Sequence, residues 1–257
     1  MRDAARPLPT PDAEDLRASV RDYYTRRLDE ATRSGSGCCP PAATNVVFEA
    51  SPTALPSFGC GDAHALTALA AGETVVDLGS GAGLDAFRAA EAVGPAGRVI
   101  GVDMTPAMIA HARAAAERLG LRHVTFREGR IEALPIEDGA ADVVISNCVV
   151  NLSSDVEAVL REAFRVLRPG GRLRVTDTFR RGPAVADPAT DGWCACVDGA
   201  HDPDALAALA DRVGFAEVAV VANEGASGCG DTFSATLCAT RPRGAVAAAA
   251  AAGEVPA

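Results

Sequence analysis

The stretch Val75-Val76-Asp77-Leu78-Gly79-Ser80-Gly81-Ala82-Gly83 constrains the fold more than any other part of the chain. An apolar run that reads as a strand enters a turn with three glycines, and a helical window over residues 84–93 follows. Glycines in such a turn allow positive φ and let a ligand approach the backbone, while the helix N-terminus behind it offers free N–H groups. The strand-and-helix alternation then continues. Apolar strand-like runs over 74–78, 98–102, 124–127, 142–146 and 172–176 alternate with helical windows. This pattern predicts an α/β fold, a parallel sheet with helices on both faces.

Outside that region the chain is less regular. Residues 13–33 read as an amphipathic helix carrying Leu16, Val20, Tyr23, Tyr24, Leu28 and Ala31, stopped by Ser34-Gly35-Ser36-Gly37. Between Cys38 and Asp62 lie Pro40, Pro41, Pro52 and Pro56 and a Gly-Cys-Gly turn, so a cap loop with few regular elements is expected. The division that follows is 1–62 for the helix and cap loop, 63–180 for the sheet core, 181–240 for a loop and the completion of the sheet, and 241–257 for an Ala-rich tail expected to be disordered. Within 181–240, a helix is expected over 203–213, with strands near 216–221 and 232–239.

The net charge of −10 gives no electrostatic help to binding nucleic acid or an anionic membrane surface, so a small molecule is the better ligand class. The first thirty residues lack the apolar centre of a signal peptide, and no stretch approaches the roughly eighteen apolar residues of a membrane span. A cytoplasmic location is therefore expected. In that setting eight cysteines are too many for bland packing, a structural disulfide framework is disfavoured, and thiol chemistry is in view.

The turn spacing G-x-G-x-G differs from the G-x-G-x-x-G that cradles a pyrophosphate, and an acidic residue, Asp77, precedes it. Both features favour S-adenosylmethionine over NAD. A second strand ends in Asp103 about twenty residues further on, where ribose hydroxyls need an acceptor, with Met104 placed to flank an adenine. Ile131 or Glu132, after the third strand, is placed to cover the base edge. Candidate cofactor residues are thus Asp77, Gly79, Ser80, Gly81, Gly83, Asp103, Met104, Ile131, Glu132 and Asn147. Across residues 65–178 the chain resembles the class I S-adenosylmethionine methyltransferases, in VVDLGSGAG, VIGVD and LRPGGRL. That resemblance implies a Rossmann-like, mostly parallel seven-stranded sheet and S-adenosylmethionine as cofactor.

In an open α/β sheet, substrates bind outside the carboxyl ends of the strands. Ser146-Asn147-Cys148-Val149-Val150-Asn151 follows the fourth strand, so a thiol is expected at that edge. Cys60 in Ser57-Phe58-Gly59-Cys60-Gly61 and Cys196 in Trp193-Cys194-Ala195-Cys196 sit beside or near glycines that suit presentation better than packing. Structural zinc prefers four ligands with paired C-x₂-C spacing, which neither Cys38-Cys39 nor Cys194-x-Cys196 supplies, so no resident metal is expected. Three thiolates without a fourth ligand suit a soft trivalent centre with a lone pair. Asn147 and Asn151 read as orienting groups or turn chemistry, and Tyr23 and Tyr24 as core or as cover for a cofactor.

GCG, SNCVVNLS and ACVDGA, in this order around a methyltransferase core, resemble the arsenite methyltransferases over residues 23–200. The resemblance implies that Cys148 and Cys196 hold trivalent arsenic. It also implies that Cys60 completes the third bond or a redox relay, and that an N-terminal cysteine, Cys38 or Cys39, pairs with it. It assigns no role to Cys194, Cys229 or Cys238.

The chemistry agrees with that implication. Arsenic on two or three thiolates is pyramidal, and its lone pair, aimed at a sulfonium methyl, attacks without a general base. Methyl transfer formally takes two electrons from arsenic, which a thiol pair can return by forming a disulfide, with thioredoxin or glutathione as reductant. Trivalent arsenicals, free or as glutathione conjugates, are the expected substrates. Two other readings remain at this point, a C- or O-methyltransferase of an organic small molecule and a non-catalytic metalloid-binding protein.

Overall fold

A computed structural model of the chain describes residues 12–34, 69–181, 199–223 and 231–244. The elements are α1 (Ala13–Ser34), β1 (Thr74–Leu78), α2 (Leu84–Val93), β2 (Arg98–Asp103), α3 (Pro106–Arg118), β3 (Val124–Glu128), β4 (Ala141–Asn147), α4 (Val156–Val166), β5 (Leu167–Arg180), α5 (Pro203–Val213), β6 (Ala216–Ala222) and β7 (Thr232–Thr240). Among the described residues the strands form one seven-stranded sheet in the order β3-β2-β1-β4-β5-β7-β6. β7 alone runs antiparallel to its neighbours, inserted between β5 and β6.

Alternation along the strands divides the core into two layers. Val75, Val99, Val143 and Ile145 face α2 and α3, where Phe87, Ala90, Ile109 and Ala112 cover them. Val76, Val102, Val144 and Val175 face the other way, under Val159, Leu160 and Ala163 of α4 and Leu206 and Ala210 of α5. Strands buried on both faces carry apolar runs without polar interruption, which is why their positions are readable from sequence.

Two expectations are corrected here. The strand expected over 172–176 begins earlier, at Leu167, and takes in Arg168-Pro169-Gly170-Gly171. Leu167 pairs with Ala141 and Arg172 with Val143, so the intervening residues form an irregularity in a single strand of 14 residues. Arg241, grouped with the Ala-rich tail by composition, belongs to the sheet domain. Its N–H bonds the Gly171 carbonyl at 2.8 Å, and its Nη1 donates to the carbonyls of Phe164 and Arg165. A cation there satisfies carbonyls left open at the C-terminal end of α4.

No described helix is long and apolar enough to cross a membrane. The order of strands reverses between β1 and β4, and the segments leaving those two strands frame the site described next.

Candidate active site

At the carboxyl ends of β1 and β4 lies a cleft, open at its mouth. Its floor is Gly79, Ser80 and Gly81, and its sides come from Asp103, Met104 and Thr105 after β2 and from Gly129, Ile131 and Glu132 after β3. Asn147, Cys148 and Val149 after β4 face them. α1 closes the cleft from above. Its apolar stripe brings Leu16 and Val20 onto Cys148 and Leu152, and Leu28 onto Ala82 and Met108. Tyr24 packs in both clusters and lines the cleft, so it serves as core and cover together.

The glycine loop is shaped by close approach. Gly79 has φ +63°, and a Cβ there would lie 2.6 Å from Val149 Cβ. Gly81, at φ +50°, faces open space. The Gly81 N–H donates to Asp103 Oδ2 at 3.0 Å and the Thr105 N–H to Oδ1 at 2.8 Å, so the carboxylate fastens the ends of β1 and β2 together. The Thr105 side chain adds to these contacts, and the carboxylate keeps lone-pair capacity for a hydroxyl. Burial nevertheless raises the Asp103 pKa, against the lowering effect of those N–H groups.

Two of the expected cofactor residues do not line the cleft. Asp77 shares a strand face with Val75 and points under α2, where it accepts a hydrogen bond from the Ala86 backbone. The helix begins at Gly83, which has no side chain to cap it, so Asp77 satisfies a first-turn N–H from below. Burial, followed by the charges of Asp85 and Asp103, raises its pKa well above the ordinary carboxylate value. Gly83, at φ +98°, is required by the Phe87 and Phe126 rings, which a Cβ would strike.

Cys148 occupies the left-handed region, at φ +55°, immediately after β4. For a residue with a side chain this costs on the order of 1–2 kcal/mol and needs support from its surroundings. The Cys148 N–H still donates to the Thr176 carbonyl at 2.9 Å, continuing the β4–β5 pairing. Beyond it, the short 3₁₀ turn Val150–Leu152 is pinned by buried Asp177 on β5. Asn151 donates to Asp177 through Nδ2 at 2.8 Å and through its backbone N–H at 3.2 Å, and its Nδ2 also reaches the Thr178 carbonyl. Ser153 closes the turn by donating to Glu132 Oε1 at 2.6 Å. Asn151 therefore does more than turn chemistry, because it ties the segment after the thiol to the neighbouring strand.

Cys148 is buried and disulfide-bonded, its partner lying outside the described residues. The resemblance makes Cys148 an arsenic ligand and pairs Cys60 with Cys38 or Cys39, so a disulfide at Cys148 is not among the expected pairings. Cys38, Cys39, Cys60, Cys194, Cys196 and Cys229 also lie outside the described residues. Cys238 is a free thiol on β7.

Burial pushes the Asp177 pKa up to about 7, against the N–H groups of Thr178, Asn151 and Val150, which lower it. A carboxyl that holds its proton more tightly when folded stabilises the fold fully below its unfolded value near 4, and this contribution is lost as the pH rises through about 7. Asp177→Asn is thus expected to reduce the loss of unfolding free energy between about pH 5 and pH 8 by roughly 2–3 kcal/mol. Urea melts of both proteins at the two pH values check this, and an unchanged pH slope contradicts it.

The chemistry of the cleft fits S-adenosylmethionine. Asp85, Asp103 and Glu132 suit its sulfonium and ammonium charges and its hydroxyls, Met104 and Ile131 offer apolar faces, and the buried Ser80 Oγ has no hydrogen-bond partner among the described residues. Asn147 Nδ2 holds Asp85 at 2.9 Å at the rim. Sequence reasoning missed Arg17, Asp85, Thr105, Met108, Leu152 and Ser153. Arg17 carried a usable signal, being a basic residue on the helix face of Val20 and Tyr24.

Comparison with known proteins agrees with this geometry. Residues 69–207 match the family model described as a methyltransferase domain. A crystal structure of an arsenic(III) S-adenosylmethionine methyltransferase from Chlamydomonas reinhardtii is 30% identical, with a TM-score of 0.57, over 92% of this chain and 74% of that one. The chain belongs to the arsenite methyltransferase family. Curated members named arsenite methyltransferase include one from Halobacterium salinarum, 45% identical over 75% of this chain and 49% of its own length. Another, from Aquipseudomonas alcaligenes, is 36% identical over 81% of this chain and 64% of its own. The chain therefore spans about half to two thirds of these curated relatives. S-adenosylmethionine is the cofactor of the family.

Proposed function

We propose that this chain transfers the methyl group of S-adenosylmethionine to trivalent arsenic held by cysteine thiolates, converting arsenite to methylarsenite and methylarsenite to a dimethylated product. The observation that carries this reading is the position of Cys148, which lines the same cleft as Gly79, Ser80 and Gly81 from the carboxyl end of the adjacent strand. When bound, S-adenosylmethionine supplies an electrophilic methyl on a sulfonium centre. Asp103 would hold the ribose, Met104, Ile131 and Glu132 the base, and Asn147 with Asp85 the rim of the amino-acid end.

Cys148 would bind arsenic with Cys196 and Cys60, leaving the arsenic lone pair pointing away from the sulfurs. The left-handed turn at Cys148 fixes its sulfur, and the bonds of Asn151 to Asp177 hold that turn in place. Orientation of this kind contributes up to about 7–11 kcal/mol in well-placed reactions, without acid–base assistance. A disulfide at Cys148 is consistent with its thiolate and a second cysteine thiolate together returning, as they join, the two electrons that methylation removes from arsenic. Thioredoxin or glutathione would then reduce it again, in the cytoplasm.

The test is formation of S-adenosylhomocysteine by the reduced chain with excess glutathione. Turnover is expected with arsenite and with methylarsenite and not without an arsenical. Silence with both, in a chain that binds S-adenosylmethionine, would overturn arsenic as the acceptor.

A further inference from the structure

We infer that Arg17 of α1 recognises the α-carboxylate of S-adenosylmethionine; this rests on reading the cleft as the cofactor site. Arg17, Val20 and Tyr24 are spaced by three and four residues, so they share one face of α1, and all three line the cleft opposite the glycine loop. Among the described lining residues Arg17 is the one basic side chain, set against the three carboxylates Asp85, Asp103 and Glu132.

Those carboxylates already have protein donors. Asp103 accepts from the Gly81 and Thr105 N–H groups, Asp85 from Asn147, and Glu132 from Ser153. Arg17 is different. Its Nη1 meets Glu14 at 3.1 Å, but that carboxylate is 70% exposed, lies outside the cleft and forms a weak pair of the surface kind. Its Nε is buried and has no hydrogen-bond partner among the described residues. A buried guanidinium donor without an acceptor is costly unless a ligand completes it.

At neutral pH S-adenosylmethionine carries two cationic centres, the sulfonium and the ammonium, and a single anionic one, the carboxylate. With Asp103 at the ribose and Glu132 at the base, Asp85 is the carboxylate left for the ammonium at the amino-acid end, and charge complementarity gives the cofactor's own carboxylate to Arg17. The planar guanidinium fork also suits a carboxylate geometrically. Arg17 thus serves as a specificity residue for the amino-acid end of the cofactor.

The experiment compares equilibrium binding of S-adenosylmethionine and decarboxylated S-adenosylmethionine, which lacks only the carboxylate, to the full chain by calorimetry. Wild type is expected to favour S-adenosylmethionine by about tenfold or more. In Arg17→Gln the preference falls to about twofold or less, while the affinity for the decarboxylated cofactor changes little, which shows the cleft intact. Arg17→Lys, which keeps the charge, retains part of the preference. An Arg17→Gln preference equal to wild type overturns the assignment, as does equal loss of both ligands in Arg17→Gln and Arg17→Lys. Wild type binding neither ligand would instead defeat the reading of the cleft itself.

Discussion

Cys148→Ser is expected to lower arsenic-dependent turnover by at least about a thousandfold while S-adenosylmethionine binding stays within about threefold of wild type. Serine is nearly isosteric, so the left-handed turn at this position and the Cys148-to-Thr176 backbone bond have no steric reason to change. What changes is the donor. A hydroxyl stays protonated and is a hard ligand, whereas trivalent arsenic is soft and takes thiolates. Losing one sulfur loosens the alignment of the arsenic lone pair, and forfeiting about 4 kcal/mol of the orientation term is enough for a thousandfold. S-adenosylhomocysteine formation reads the turnover and calorimetry the binding. Turnover within about tenfold of wild type would remove Cys148 from the arsenic site.

Gly79→Ala is expected to weaken S-adenosylmethionine binding by about thirtyfold or more. Two costs add. A side chain at φ +63° carries about 1 kcal/mol of backbone strain, and its Cβ overlaps the side chain of Val149. Relieving that overlap means moving Val149, the residue next to Cys148, at roughly 1–3 kcal/mol for overpacking. Trimming the obstacle should therefore restore affinity. Val149→Ala in the Gly79→Ala background is expected to recover at least about fivefold, a coupling that a double-mutant cycle isolates. Gly81→Ala provides the contrast, since among the described residues nothing beyond its own chain neighbours lies within 4 Å of the added Cβ, leaving only the backbone cost of φ +50°. If the paired substitutions at 79 and 149 are simply additive, close contact between the two loops does not shape the site.

Much of this was legible in local pattern. β1, α2 and α5 fall where the apolar periodicity places them, because each is buried on a face that only one spacing can fill. The positions of Asp103, Met104, Ile131, Glu132, Asn147 and Cys148 in the cleft follow from one topological rule, that loops at the carboxyl ends of parallel strands converge at the switch in strand order.

What was not legible depends on distant pairing. The insertion of β7 between β5 and β6 is settled by tertiary contacts that no spacing announces. Asp177 reads as one more polar residue in a strand until Asn151, 26 residues earlier, is found bonded to it. Asp77 precedes the glycine turn in sequence, but strand alternation directs it beneath α2, a placement the spacing of the turn does not announce. Arg241 was misgrouped because composition was averaged over a tail whose first residue caps α4.

The most direct test of arsenic bound through Cys148 is X-ray absorption at the arsenic edge. The fully reduced chain is mixed with one equivalent of arsenite in the absence of free thiols, and wild type is compared with Cys148→Ser. Arsenic is expected to be coordinated by sulfur in the wild type, with one sulfur fewer in the variant. An all-oxygen shell in the wild type, or a sulfur shell that Cys148→Ser leaves unchanged, would contradict arsenic bound through this residue.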